Sequence, residues 1–348
     1  MTSLDVVKRL PGRALWHTPH PFGAAAMLRR GYSLRCVLFH DVAERTSSFT
    51  DGLDVTLTPR AFERTLRFLV RHYTPVSLEE ALNPERLDAR RRPVLVTFDD
   101  AYASIVRYAI PICQEYGVPT AFFVSAKFLD NRELALDNLV CHVVHTRGFA
   151  PIDRASAEVT GAAPNIRSFR QIFGHLLPSL SLRTRQNFQT ALARAADVDP
   201  AAMARDAGLY LTSAQLAQLG TACELGNHTY SHVHLRALQT TELPDEIDRN
   251  REIVESITGR RVRCFSVPYG SSADLPPHVA DYLDEHGYDA VFLVGRLMNT
   301  HGASSRRLYR VSIGHGTADA DLFSELELLP RLRAVRADLF GAPAAARP

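Results

Sequence analysis

The chain has 348 residues, of which 46% are hydrophobic and 22% are charged, and its formal net charge is +2. This composition is typical of a soluble globular protein that buries a sizeable core, and it excludes a largely disordered chain. Acidic and basic residues nearly balance, which excludes the strongly charged surface that collects nucleic acid, so we expect no nucleic-acid partner.

The cysteines and the N-terminal residues indicate the cellular location of the protein. Five cysteines, odd in number and widely spaced, mostly lie in apolar runs, which favours reduced thiols. Residues 1–31 lack the apolar stretch and cleavage site of a secretory signal, and no apolar run approaches the roughly 18 residues that span a bilayer. We therefore predict a cytoplasmic protein without a transmembrane segment.

Short apolar runs alternate with helical patterns in two parts of the chain. In the first part, strands are predicted at 37–39, 94–98 and 121–124, with helices at 59–73 and 101–116. In the second part, strands are predicted at 223–225, 262–267, 290–294 and 308–313, with helices at 242–258 and 277–286. Repeated strand–helix units imply a mostly parallel sheet, open or closed into a barrel, with functional groups at the carboxyl ends of its strands.

The stretch between these two parts shows no convincing strand. It is predicted to be helical, and Thr212 and Gln215 at its end have the spacing of a capping box. We therefore divide the chain into an N-terminal extension, a barrel in two pieces, a helical insertion or lid, and a disordered tail. The predicted bounds are 1–34 for the extension, 35–129 and 212–340 for the barrel, 130–211 for the insertion and 341–348 for the tail.

Two adjacent carboxylates, Asp99 and Asp100, stand between a predicted strand and a helix. Like charges this close raise each other's pKa unless a cation or hydrogen bonds compensate, so the pair suggests a metal or a shared proton. The alternative is that Asp100 caps the helix while Asp99 is solvated.

Two histidines follow another predicted strand. His228 and His232 are four residues apart, a spacing that brings both imidazoles to one side if the segment turns helically. His234 is a third candidate, but its spacing places it off that side. Two histidines and one aspartate would leave coordination positions open for water and substrate, as in a catalytic rather than a structural metal site, although surface histidine pairs are also common.

Three segments together resemble the motifs of the polysaccharide deacetylases with a NodB-homology domain, also called carbohydrate esterase family 4. VTFDDAY at 96–102 is similar to the first motif, and ELGNHTYSHVHL at 224–235 is similar to the second. FSVPYG at 265–270 is similar to the third, which lines one wall of the substrate groove in that family. The resemblance implies an α/β fold, a distorted (β/α) barrel, here with an inserted helical segment.

Carried over to the matching positions, the resemblance implies that Asp99 is the general base and that the metal ligands are Asp100, His228 and His232. The chemistry agrees, because a divalent metal lowers the pKa of its water and an adjacent carboxylate can accept the proton. By the same resemblance, the backbone N–H of Tyr269 would meet the developing oxyanion. Zinc is the expected metal, although cobalt, nickel or manganese would also suit mixed nitrogen and oxygen ligands.

The general acid departs from the commonest family pattern, a C-terminal Leu-x-His motif. His40, in VLFHDV, resembles a subgroup that acts on exopolysaccharide amino sugars and carries its acid histidine on the N-terminal side. His315, in VSIGHG, stands where the more usual arrangement would put it. His40 is favoured because its context matches better; its alternative is a strand-end histidine that Asp41 merely orients.

A further departure concerns the residue that orients the base. Ser266 stands where many family members have an arginine, and Arg310 could take over that task or could form a surface ion pair. Trp16 lies outside every motif, so an aromatic sugar platform has to come from Tyr or Phe. The residues expected to contact substrate are Tyr102, Pro268, Tyr269, Gly270 and Arg310.

The predicted function is metal-dependent removal of an N-acetyl or other N-acyl group from an amino sugar of a polysaccharide, a lipopolysaccharide or a glycan precursor. The only predicted partner is the carbohydrate substrate, and a cytoplasmic location would favour a biosynthetic one. One alternative is another amide hydrolase on the same scaffold, acting on a cyclic imide, a ureide or a formamide. The other is a catalytically impaired deacetylase-like protein that binds glycan.

Overall fold

Seven parallel strands close into a barrel in the computed structural model, which describes residues 11–162, 164–300, 307–314 and 318–340. The strands are β1 (Tyr32–Phe39), β2 (Asp41–Val42), β3 (Thr56–Leu57), β4 (Thr74–Pro75), β5 (Pro93–Phe98), β6 (Thr120–Val124), β7 (Glu224–Asn227), β8 (Cys264–Ser266), β9 (Ala290–Val294), β10 (Asn299–Thr300) and β11 (Arg307–Ser312). The barrel order is β1-β11-β9-β8-β7-β6-β5, and pairing of β5 with β1 closes it. The predicted (β/α) barrel is confirmed, and the closed form is the correct one of the two that the strand pattern allowed.

Helices cover the outside of the barrel. They are α1 (Pro21–Leu28), α2 (Pro59–His72), α3 (Leu78–Ala81), α4 (Ile110–Glu115), α5 (Leu136–Arg147), α6 (Ala150–Thr160), α7 (Phe169–Gln171), α8 (Leu177–Ser179), α9 (Leu182–Ala196), α10 (Pro200–Ala207), α11 (Ser213–Ala222), α12 (Arg249–Thr258), α13 (Pro277–Glu285), α14 (Asp319–Phe323) and α15 (Leu329–Phe340). The Thr212–Gln215 capping box at the start of α11 is present, as predicted. None of the described helices is long and apolar enough to cross a bilayer.

The barrel lumen is a packed core. Its residues alternate with those that face the helices, and they include Leu34, Cys36, Leu95, Ala121, Phe123, Cys264, Ala290, Phe292 and Leu308. Gly226 of β7 lies directly against Phe123 of β6, since a Cβ at Gly226 would lie 2.2 Å from the Phe123 ring. A side chain at this position would collide with the core, so the glycine of the second motif is required by packing.

One buried ion network lies outside the barrel, between β1 and the C-terminal helices. Arg35 donates from Nε and Nη2 to the two carboxylate oxygens of Glu327, over 2.8 and 3.0 Å, and Arg331 pairs with the same carboxylate. Burial alone would raise the pKa of Glu327, but the two guanidinium groups outweigh it and lower the pKa. The network explains why β1 begins at Tyr32, five residues before the predicted strand, with a charged residue inside a buried run.

Between β6 and β7 the chain forms helices α5 to α11 and, among its described residues, no strand. A single bridge joins Tyr210 at the end of this stretch to Tyr102, which follows β5. The bounds of the predicted insertion and of the N-terminal extension stay a proposal, and the predicted tail, 341–348, lies outside the described residues. All five cysteines are free and buried, which agrees with the prediction of reduced thiols.

Candidate active site

The three sequence motifs meet at the carboxyl edge of the barrel. Asp99 and Asp100 follow β5, His228 follows β7, and Tyr269 lies in the loop after β8. Backbone φ angles in the left-handed region occur at Asp100 (+73°), Thr229 (+60°), His232 (+50°) and Tyr269 (+62°). Each such residue costs on the order of 1–3 kcal/mol and persists only where surrounding structure enforces it, so the structure around these loops holds them in their conformation.

The predicted metal ligands converge. Asp100 Oδ1 lies 3.5 Å from His228 Nε2 and 3.4 Å from His232 Nε2, and one ligand atom from each residue lies within 4.8 Å of the others. His234 does not join them; its ring stacks on Tyr269 with centroids 3.5 Å apart. The structure therefore brings together the predicted Asp–His–His set and leaves the third histidine out, as its spacing suggested.

Hydrogen bonds fix the two histidine rings in the orientation that a metal needs. His228 Nδ1 lies 2.8 Å from the carbonyl oxygen of Ser266, and His232 Nδ1 lies 3.0 Å from Asp137 Oδ2. Since a carbonyl and a carboxylate only accept, each Nδ1 carries the proton and each Nε2 presents a lone pair toward Asp100. Two imidazoles that can each offer Nε2, and a carboxylate, aimed at one point fit a divalent cation.

The second carboxylate of the motif, Asp99, is held apart from this set by Arg310. Arg310 Nη1 and Nη2 donate to the two oxygens of Asp99, each over 2.7 Å, and the Ser266 hydroxyl donates to Asp99 Oδ2 over 2.9 Å. Burial would raise the pKa of Asp99, but the arginine outweighs burial and holds that pKa well below its usual range. Asp99 is therefore an anionic acceptor at neutral pH.

Arg310 is fully buried, with its guanidinium over the lumen rings of Phe123 and Phe292. The surface ion pair that the sequence left open is therefore excluded. The side chain lies beneath Asp99 and is not among the residues that line the cavity, and the expected contact of Arg310 with substrate stays a prediction. It orients the Asp99 carboxylate through two hydrogen bonds, and the Ser266 hydroxyl adds a third.

His40 lies at the end of β1 and faces the cavity, half-buried. Burial lowers the pKa of its imidazole, which makes no hydrogen bond to the described residues. Asp41 does not orient it, because its carboxylate accepts hydrogen bonds from Ser104 (2.5 Å) and Thr56 (2.7 Å) instead. The rival general acid, His315, lies outside the described residues.

The expected substrate contacts divide into two groups. Tyr102 and Tyr269 line the cavity. Pro268 and Gly270 are buried and are not among the residues that line it, and their expected contact with substrate stays a prediction. Gly270 has φ +77° and a Cβ there would lie 2.5 Å from Val294, so it allows the turn that presents Tyr269.

Two site residues escaped the sequence analysis, both from the helices between β6 and β7. Asp137 of α5 accepts hydrogen bonds from His232 Nδ1 and from the Tyr269 hydroxyl (2.8 Å). Arg185 of α9 lies 3.4 Å from Asp137 and donates to the backbone oxygen of His232. A polar Asp137–Asn138 pair inside the apolar run LALDNLVC was the available signal.

A cavity of about 410 Å³ lies over these groups. The catalytic candidates form its floor, and residues of the loop before β3 and of the segment between β6 and β7 form walls. This volume is at the small end of the roughly 300–1,000 Å³ of typical ligand sites.

Comparison with known proteins agrees with this site. The family model described as polysaccharide deacetylase matches residues 86–148 and 212–291, which contain all three motifs but neither His40 nor Arg310. The Asp–His–His set and the separate carboxylate at the carboxyl edge of the barrel all lie within the matched residues. The family model thereby confirms the resemblance to the polysaccharide deacetylases over the two matched stretches.

Solved structures share the fold at low sequence identity. The deacetylase PplD of Streptococcus pyogenes, in complex with acetate, is 14% identical with a TM-score of 0.55, over 85% of this chain and 99% of that one. IcaB from Ammonifex degensii is 18% identical with a TM-score of 0.55, over 86% and 98%. A de-N-acetylase from Aggregatibacter actinomycetemcomitans is 15% identical with a TM-score of 0.55, over 84% and 99%. A search of curated proteins found no match.

Proposed function

We propose that the protein is a metal-dependent hydrolase that removes an N-acetyl group from an amino sugar of a polysaccharide, a lipopolysaccharide or a glycan precursor. The observation that carries the proposal is the convergence of Asp100, His228 and His232 beside a separate anionic carboxylate, Asp99. Zinc is the proposed metal because its usual ligands include imidazole and carboxylate. When bound, the cation would act as a Lewis acid toward water and the amide carbonyl.

The chain's own residues would share the proton transfers. Asp99, kept anionic by Arg310, accepts a proton from the attacking water. His40, with no competing hydrogen bond to the described residues, would give a proton to the leaving amine from its protonated form, which the charges of Asp99 and Asp100 favour against the effect of burial on its pKa. The backbone N–H of Tyr269 would stabilise the oxyanion, as the family resemblance implies. Asp137 keeps His232 in the tautomer that leaves Nε2 free.

The rival readings are less well supported. An impaired, glycan-binding protein would not be expected to keep the full ligand set, the paired base and its arginine together. A cyclic imide, ureide or formamide substrate would use the same groups, and a panel of such amides beside acetylated amino sugars separates the two activities. The cytoplasmic location, and with it a biosynthetic substrate, stays a prediction.

Metal content and acetate release together test the proposal. We expect Asp100→Ala and His232→Ala to lose the metal, and Asp99→Asn to keep it while kcat for acetate release falls by about 10²–10⁴-fold. Elemental analysis and acetate release from defined N-acetylated amino sugars measure both. Full activity in Asp99→Asn would contradict the base assignment, and metal retained by both ligand variants would contradict the site.

A further inference from the structure

One wall of the active-site cavity is apolar. Phe169 and Phe173 lie one helical turn apart, with rings 12° from parallel and centroids 6.1 Å apart. Both line the cavity and both are only partly buried, as are Leu53 and Val55 in the loop before β3. Ring and aliphatic surface therefore faces the space above the catalytic groups.

Among the polar residues beside this wall, Arg170 and Asp54 are exposed, whereas Tyr102, Asn138 and Tyr210 are already hydrogen-bonded to one another. The Tyr210 hydroxyl donates to Asn138 Oδ1 over 2.6 Å and accepts from the backbone N–H of Ala135 over 2.9 Å. Asn138 Nδ2 donates to the Tyr102 hydroxyl over 2.8 Å. These groups have little capacity left for the hydroxyls of a second sugar ring, which need new partners when they leave water.

The wall is held in place by contacts between the loop before β3 and the helices after β6. Gly52, with φ +99°, lies so close to Phe169 that a Cβ would be 2.4 Å from the ring. Ser48 Oγ lies 2.9 Å from His142 Nδ1, and the Phe49 ring stacks on His142 with centroids 4.8 Å apart. Because these contacts join two segments that both line the cavity, the apolar surface is preformed.

We propose that this apolar wall binds a hydrocarbon chain that the substrate carries beside its amino sugar. The inference rests on the proposed deacetylase function. Apolar surface gains free energy by leaving water, and the wall presents such surface without free polar atoms on its neighbouring tyrosines. A hydrocarbon chain has two possible sources with the same chemistry, namely the aglycone of a lipid-linked sugar and a long N-acyl group.

Four substrate probes, assayed with the wild-type, metal-loaded protein, distinguish these two sources of the hydrocarbon chain. They are the methyl and octyl glycosides of N-acetylglucosamine, the methyl glycoside of N-octanoylglucosamine, and a linear N-acetylglucosamine oligosaccharide, all kept below their aggregation concentrations. We expect a chain to raise kcat/KM by at least about tenfold over the methyl glycoside of N-acetylglucosamine, since several methylenes leave water. A gain for the octyl glycoside assigns the wall to an aglycone, and a gain for the N-octanoyl compound assigns it to the acyl group.

A matched pair of variants tests whether the wall causes the gain. Phe173→Leu and Phe173→Asn leave side chains with the same number of heavy atoms and the same branching, but only leucine keeps the surface apolar. The readout is the ratio of kcat/KM for the preferred chain-bearing probe to that for the methyl glycoside of N-acetylglucosamine. We expect the asparagine variant to lose about tenfold in this ratio and the leucine variant to stay within about threefold. An equal ratio in both variants would overturn the proposal, as would an unchanged ratio in the asparagine variant.

The outcomes for the inference and for the proposed function differ. If the methyl glycoside is deacetylated and neither chain raises kcat/KM, or the oligosaccharide is preferred, the apolar subsite is wrong while the deacetylase function stands. If no probe loses its acyl group and no metal binds, both fail. The wild-type series decides even if a Phe173 variant does not fold, and metal content with thermal unfolding shows whether it does.

Discussion

Two buried arginine–carboxylate pairs of the barrel differ in what surrounds them. Arg35 and Glu327 lie outside the barrel, and Arg331 adds a second guanidinium to the same carboxylate. Arg310 and Asp99 lie inside the lumen, and Asp99 reaches the carboxyl edge, 3.8 Å from His228 Nε2. A buried pair by itself indicates a structural role as readily as a catalytic one. The pair inside the lumen differs because its carboxylate adjoins the convergent ligand set and the cavity.

The largest expected effect comes from breaking the pair inside the lumen. Arg310→Met leaves Asp99 buried without its counter-charge, so Asp99 would take up a proton and could no longer accept one. We expect kcat to fall by about a hundredfold or more and the free energy of unfolding to fall by about 3–5 kcal/mol. Acetate release and chemical denaturation measure the two effects.

Arg35→Met is the matched control, because it breaks the pair outside the barrel. A smaller loss of stability is expected because Arg331 still pairs with Glu327, while kcat per folded molecule stays within about twofold, since distant sites act independently. Equal losses of kcat in both variants would show that the two pairs do not differ in role.

A smaller effect, on stability alone, is expected from Glu327→Gln, which leaves Arg35 and Arg331 without their shared carboxylate. The cost at neutral pH is about 3–5 kcal/mol in the free energy of unfolding. Because folding lowers the pKa of Glu327 from its ordinary value of 4.5, the wild type has this stability above pH 4.5 and loses it as the pH falls further. Urea denaturation from pH 7 to pH 3 should show the two proteins converging at acid pH; a constant difference would contradict the role of the charge.

The smallest expected effect concerns a third arginine–carboxylate pair, Asp137 and Arg185. The carboxylate of this pair contacts the proposed metal ligand His232. Asp137→Asn should weaken metal affinity by about 10–100-fold, because the amide no longer holds His232 as the carboxylate does. Excess metal should restore most of the activity, which a purely structural loss would not allow. The control is Asp130→Asn. It also removes a carboxylate, but this one accepts hydrogen bonds from Ser213 rather than from His232. Unchanged metal titrations in Asp137→Asn would remove this residue from the site.

The sequence predicted what depends on short stretches of chain. The Asp99–Asp100 and His228–His232 motifs each follow an apolar run, and parallel strands bring their carboxyl ends to one edge, so convergence could be anticipated. The alternation of apolar runs and helical patterns predicted most of the strands and helices, because it too depends only on short stretches of chain. The family resemblance added the barrel and the roles of the residues.

Contacts between distant parts of the chain could not be anticipated. Arg310 pairs with Asp99 across 211 residues, and Arg35 pairs with Glu327 across 292, so neither arginine shows its partner in its own neighbourhood. The start of β1 was missed because the charged Arg35 interrupts its apolar pattern. The distant carboxylate of Glu327 is what allows this charge to be buried. Asp137 was overlooked because its bond to His232 exists only after the helices between β6 and β7 pack against the barrel.

The left-handed backbone at Asp100, Thr229, His232 and Tyr269 has a consequence for protein engineering. Selection for heat resistance alone would favour glycine or asparagine at these positions, because either residue relieves the conformational penalty. At Asp100 and His232 the replacement would remove a proposed metal ligand outright, and at Thr229 and Tyr269 the relaxed loops would hold the neighbouring site residues less firmly. Thermal tolerance and turnover are therefore expected to trade against each other at these four positions, more than in the barrel wall beneath them.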